Sequence, residues 1–134
     1  MSLPVTWQIA AVGGGGAIGA IARWAVNRMF LERGWLGIPA ATLSVNVVGC
    51  LLAGFLLVWI DTRGQLAPFW RHLLFTGFLG AFTTFSALGV ELWQFLRAGR
   101  IDLALLTSVL HLILGVVAVA VGYAIARGLF VSPG

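Results

Sequence analysis

GFLGAFTTFS, residues 77–86, falls in the middle of a hydrophobic segment long enough to cross a bilayer. Two glycines, two threonines and a serine are interleaved there with three phenylalanines. Glycine and β-branched threonine are poor choices for the interior of a helix. In lipid an interrupted helix is tolerated only where its freed N–H and C=O groups face protein, water or an ion. The stretch therefore reads as a site, with a break near the middle of a membrane helix, and the rest of the chain as the frame around it.

The frame is set by composition. The chain has 134 residues, 60% of them hydrophobic and 9% charged, with a mean hydropathy of +1.04. Soluble domains carry roughly 25% charged residues. One soluble core cannot hide this much apolar surface, so the solvent is lipid. The expected architecture is an all-α integral membrane protein, a single four-helix transmembrane domain over residues 1–134. The net charge of +4 comes from eight arginines, no lysine and four acids. The arginines are scattered at segment ends rather than clustered, which points to lipid headgroups and away from nucleic acid. Cys50 is the one cysteine, so no intrachain disulfide forms and no metal-ligand spacing exists. The opening MSLPVTWQ lacks the basic n-region of a cleaved signal peptide, and the first hydrophobic segment is expected to be retained.

Four apolar stretches have the length of about 20 residues that a spanning helix needs. They run near 6–29, 39–60, 72–96 and 103–127. Pro39 and Pro68 fall at or before predicted helix starts, where a missing N–H costs little. Trp7, Trp35, Trp59, Trp70 and Trp93 lie near span ends, as an aromatic belt requires, and Trp24 lies deeper. Arg63, Arg71 and Arg127 share one side of the membrane. Arg28, Arg33, Arg97 and Arg100 share the other. Orientation normally follows an arginine and lysine excess on the cytoplasmic side. Three against four does not choose, so charge leaves open one orientation or two. Two opposed copies would pair as an antiparallel dual-topology homodimer, imitating the inverted repeats of larger transporters.

Polar and small residues within the spans are the candidate site. In the first span, Gly15 and Gly19 form a GxxxG pair and Gly16 with Ala20 a second small pair, which suit close helix packing. Arg23 either snorkels to the headgroups or attracts anions at a vestibule. Asn46 in the second span must find a partner, in a neighbouring helix or an anion. Thr83 and Thr84 mark the midpoint of the third span, where unwound carbonyls suit a cation. Glu91 is an ionisable residue in a span. It either reaches water or pairs with Arg23 or Arg97. Thr107, Ser108, His111 and Gly115 form one polar stripe on the fourth span, with His111 read as a packing residue. No HExxH, CxxC, P-loop or paired intramembrane carboxylates occur, so an enzyme is not expected.

Three motifs together resemble the Fluc (CrcB) family of bacterial fluoride channels. GGAIGAIAR, residues 15–23, is similar to that family's GGxxGAxxR; Asn46 in SVNVVG to its second-span asparagine; and GFLGAFTTFSAL, residues 77–88, to its third-span signature, which usually ends TTFSTF. The resemblance covers nearly the whole chain. It implies passive fluoride export through the bacterial plasma membrane, which reduces fluoride toxicity, by an antiparallel homodimer with two pores. It further implies a central structural Na+ held by backbone carbonyls of Gly80 and Thr83, a pore lined by Asn46 and Phe85, and a polar track holding Ser108, with Thr107 beside it. The chain departs from the signature where the second phenylalanine is Leu88 and the preceding threonine is Ala87. Aromatic ring edges carry partial positive charge, which leucine lacks, so an altered halide path is expected. Replacing Asn46 or Phe85 is expected to reduce flux while leaving the protein folded. The alternatives are a small multidrug-type exporter, which needs an acid deep in its first span that is absent here, and a non-conducting membrane assembly subunit.

Overall fold

The computed structural model of the chain describes residues 3–33 and 39–131. Trp35 lies outside the described residues, as does the side chain of Arg33. Helix α1 spans Val5–Arg33 and α2 spans Ala40–Asp61. A short 3₁₀ turn, Gly64–Leu66, leads into α3, residues 67–82, and then α4, Phe85–Arg97. Helix α5 runs over Ile101–Phe130. Four stretches are long and apolar enough to cross a membrane: Val5–Leu31, Ala40–Asp61, Gly64–Arg97 and Ile101–Phe130. The third is broken as its sequence implies, with Thr83 and Thr84 both in extended conformation between α3 and α4.

Turn chemistry fixes the ends. Pro68 lies in the first turn of α3, and Pro39 caps α2 without a side-chain bond. Gly99 takes a left-handed φ of +70° after α4. Its N–H bonds to the Leu96 carbonyl and that of Arg100 to Phe95, the paired bonds of a Schellman stop. Arg100 then forks onto Asp102 with bonds of 3.0 and 2.8 Å.

The helices meet at two glycine seams. Helix α2 lies most extensively against α5, and α1 against α3. A Cβ on Gly54 would overlap the Val119 carbonyl, and one on Gly122 the Leu51 carbonyl. Lipid supplies no hydrophobic drive between helices, so such close backbone approach carries the association. In α1, Gly15 and Gly19 serve the same purpose against Leu73 and Phe78, and Gly77 answers from α3 against Val12. The expected second pair follows only at Gly16. A Cβ on Gly16 would meet the Gly77 carbonyl only in ordinary contact, at 3.9 Å, although a Cβ on Gly77 would crowd the Gly16 nitrogen at 3.1 Å, and Ala20 is exposed. The helical stripe that faces α3 is Ala11, Gly15 and Gly19, one residue out of phase with them.

One feature of α3 was not expected. Residues Arg71–Leu79 form a π-helix between α-helical Ala67–Trp70 and Gly80–Phe82. Gly15 sits against the Leu73 carbonyl and the Phe78 N–H, the two groups that an i→i+5 bond joins. The irregular backbone therefore begins a full turn and more before GFLGAFTTFS, at the surface that α1 covers.

Candidate functional site

The break is held by one side chain. Asn46 of α2 accepts from the Thr84 N–H at 2.8 Å and donates to the Thr84 carbonyl at 3.1 Å. Its amide thus takes the place of the backbone partners that Thr84 loses on leaving the helix. The partner that Asn46 requires is thus supplied by a neighbouring segment of the chain. Thr84 in turn caps α4, its hydroxyl accepting from the Ala87 N–H at 3.1 Å. Thr83 turns its hydroxyl back to the Leu79 carbonyl at 2.8 Å, and its methyl group lies where Gly49 of α2 has no Cβ.

Two half-helix ends meet at this point. Helix α3 presents carbonyls and α4 presents N–H groups, with the partial charges of their dipoles. The N–H of Thr84 turns to Asn46 instead of to the Gly80 carbonyl four residues back. Oxygen atoms at such an end suit a hard cation. Among the described residues no group of three His, Cys, Asp or Glu side chains forms an alternative metal site. The carbonyl oxygens of Gly80 and Thr83 at the break are donors of the kind a hard cation takes.

Around the break lies a cavity of about 480 Å³. Asn46 and Cys50 of α2, Gly80 and Thr83 at the break, Phe85 and Leu88 of α4, and His111 of α5 contribute to its wall. Five positions drawn from the sequence as site residues thus come together. Phe85 is also 84% exposed, directed largely outside the fold, whereas Leu88 is buried at 8%.

The polar stripe of α5 divides. Ser108 spends its hydroxyl on the Ala104 carbonyl of its own helix at 2.9 Å, and is not part of the cavity wall. Thr107 is fully buried with its hydroxyl unpartnered. His111, expected to be a satisfied packing residue, instead joins the wall and has a buried, unbonded Nε2. Its Nδ1 lies 2.9 Å from the Thr107 carbonyl. Glu91 pairs with neither Arg23 nor Arg97: its Oε1 accepts from the buried hydroxyl of Thr42. That partnership spans 49 residues and leaves no local sequence signal. Arg23 is half-buried on α1 and makes no bond within the described chain.

A family model described as "CrcB-like protein, Camphor Resistance (CrcB)" matches residues 10–123. The chain belongs to the CrcB family. It is 40% identical over 125 residues to a protein of Saccharophagus degradans named "Fluoride-specific ion channel FluC", covering 93% of this chain and 92% of that protein. Proteins of the same name share 44% identity over 101 residues in Xylella fastidiosa, with 75% and 76% coverage, and 42% over 118 in Paracoccus denitrificans, with 87% and 91%. With four apolar helices and bacterial relatives of nearly equal length, this CrcB protein is a multi-pass protein of the bacterial plasma membrane.

Proposed function

We propose that this CrcB protein is a fluoride channel that exports the anion passively, working as an antiparallel dual-topology homodimer. The observation that carries the reading is the clamped break: Asn46, Thr84 and Phe85 border one cavity, and Phe85 projects beyond the fold. A bare anion in a low-dielectric slab costs tens of kcal/mol, so a path must replace its water with donors. Asn46 has one amide hydrogen beyond the one it gives to Thr84. Aromatic edges at Phe85 supply a weak positive rim. Sites of this kind bind well enough to admit an ion and weakly enough to release it.

The projecting Phe85 suits a path completed by a second copy. A sodium ion at the carbonyls of Gly80 and Thr83 from both copies would lower the electrostatic cost of an anion nearby and tie the copies together. Neutral HF crosses lipid and ionises inside, and the negative cell interior then expels fluoride. A passive path is sufficient for that, and no nucleotide or proton-coupled carboxylate is required.

Fluoride efflux from liposomes, read with a fluoride electrode beside a parallel chloride run, tests the reading. Rapid fluoride release with little chloride release supports it. No release from correctly reconstituted dimers rejects conduction by the homodimer. Phe85→Ala should cut flux at least about tenfold with unchanged thermal stability, since an 84% exposed ring contributes little to the fold of one copy.

A further inference from the structure

Just beyond the end of α2 lies an aromatic and cationic cluster that the cavity at the break does not include. The guanidinium carbon of Arg63 is 4.1 Å from the centre of the Trp59 ring. Trp59 packs edge-to-face on Trp70 of α3 at 5.3 Å, and Trp70 on Phe69 at 5.5 Å. The backbone of Arg63 is fixed as well. Its N–H donates to the Ile60 carbonyl at 2.9 Å, and its carbonyl accepts from the Leu66 N–H at 3.1 Å. Gly64, with a left-handed φ of +53°, carries the chain into the 3₁₀ turn. The ring stack sets where the guanidinium lies, and the turn sets where its stem begins.

The charge of Arg63 is uncompensated. Arg71, at the same end of the bundle, bonds to Asp61 at 3.1 Å. Arg100, at the opposite end, forks onto Asp102. The Arg63 side chain has no carboxylate and no hydrogen-bond acceptor among the described residues. Stacking occupies the face of a guanidinium and leaves the N–H groups at its edge unspent. A planar fork of charged donors matches two oxygens of a phosphate. Arg63 is exposed and follows directly on a spanning helix, at the level where tryptophans meet lipid headgroups. Leu66, in the same turn, is 63% exposed. An apolar side chain beside the cation suits a phosphate that carries acyl chains and offers nothing to a free one.

We propose that Arg63, laid over Trp59, binds the phosphodiester of an anionic phospholipid. A zwitterionic headgroup balances its phosphate with its own ammonium group. A headgroup such as phosphatidylglycerol keeps its negative charge, which an unpaired guanidinium complements. The site is independent of the channel reading.

Phosphatidylglycerol titrated into the full-length protein in detergent, with bound lipid counted by mass spectrometry of the intact complex, tests this. The wild type should bind it about tenfold more tightly than phosphatidylcholine, the size of one charge-assisted hydrogen bond. Arg63→Gln should lose that preference, and Arg63→Lys should fall between. The bonds that hold the Arg63 turn are made by its backbone, so Arg63→Gln keeps them. Arg100→Gln removes the same charge from an arginine that has its own carboxylate, and should leave binding unchanged. Equal binding by wild type and Arg63→Gln overturns the proposal. An equal loss in Arg100→Gln assigns the lipid to diffuse charge and also overturns it. Wild-type affinity in Arg63→Lys rejects the stacked fork. Full displacement of the lipid by excess inorganic phosphate would make this a free-phosphate site and reject the lipid.

Discussion

The glycine seams and the clamped break solve opposite problems with the same helices. At the seams, Gly54, Gly122, Gly15 and Gly19 carry no side chain, and the facing backbones fill the space that a Cβ would take. At the break, the backbone gives up its helical bonds and a side chain from another helix must replace them. The seams tolerate no added atom. The break tolerates no lost donor or acceptor. The backbone thus leaves the helix where a polar side chain is available, while the π-helix Arg71–Leu79, whose bonds stay within its own segment, lies at the α1 seam.

The largest effect should come from the clamp. Asn46→Leu leaves both the N–H and the C=O of Thr84 without a partner, at about 1–3 kcal/mol for each buried group. The thermal unfolding midpoint in detergent should collapse. Asn46→Asp should fall between, because it still accepts from the Thr84 N–H but has no hydrogen for the carbonyl. A stable Asn46→Leu protein would show that the break stands without its clamp. The two bonds to the Thr84 backbone also bear on the expectation that an Asn46 variant stays folded. Loss of flux on replacing Asn46 does not by itself report contact with the ion, since the same residue maintains the geometry of the path.

The seams should come next. Gly54→Ala or Gly19→Ala places a methyl group against a backbone carbonyl, Val119 or Phe78, that has no rotamer to move aside. Overpacking of this kind costs about 1–3 kcal/mol and sometimes more. Unfolding of both variants in detergent, compared with wild type, measures it. Equal stability would mean that the helices separate without penalty and that the seams are not the basis of the fold.

The contrast also explains what the sequence revealed. The four spans follow from hydropathy, and the break follows from adjacent threonines that no helix interior favours. Asn46 was legible as a residue in need of a partner, because an amide in lipid is costly, but its partner lies 38 residues away. The Thr42–Glu91 bond and the place of His111 in the cavity wall depend on which faces of α2, α4 and α5 meet. No local pattern encodes that. The π-helix was invisible for the same reason: Arg71–Leu79 holds nothing unusual until α1 is laid against it.

A smaller effect tests the junction between the two regions. Thr84→Val removes the hydroxyl that caps α4 and keeps the β-branched shape. Loss of an N-cap costs about 1 kcal/mol, while the Asn46 bonds to the Thr84 backbone remain available. Unfolding should shift modestly and the path should survive. A loss as large as that of Asn46→Leu would show that the cap and the clamp act as one unit.

The smallest effect separates neighbours within one run, Gly13 to Gly16. A Cβ on Gly15 would overlap the Leu73 carbonyl, yet one on Gly13 or Gly14 meets nothing within 4 Å. Judged within a single copy, Gly13→Ala and Gly14→Ala should therefore be neutral or stabilising by up to about 1 kcal/mol, because alanine is the better helix former. Gly13 borders a pocket with His72 of α3, whereas Gly14 is exposed towards lipid or a second copy. Measuring both unfolding and the monomer–dimer equilibrium of Gly14→Ala distinguishes the two surroundings. Unchanged association would place the face in lipid. Weakened association without loss of monomer fold would show that a second backbone approaches there, and would extend to the dimer the rule that governs the seams within one chain.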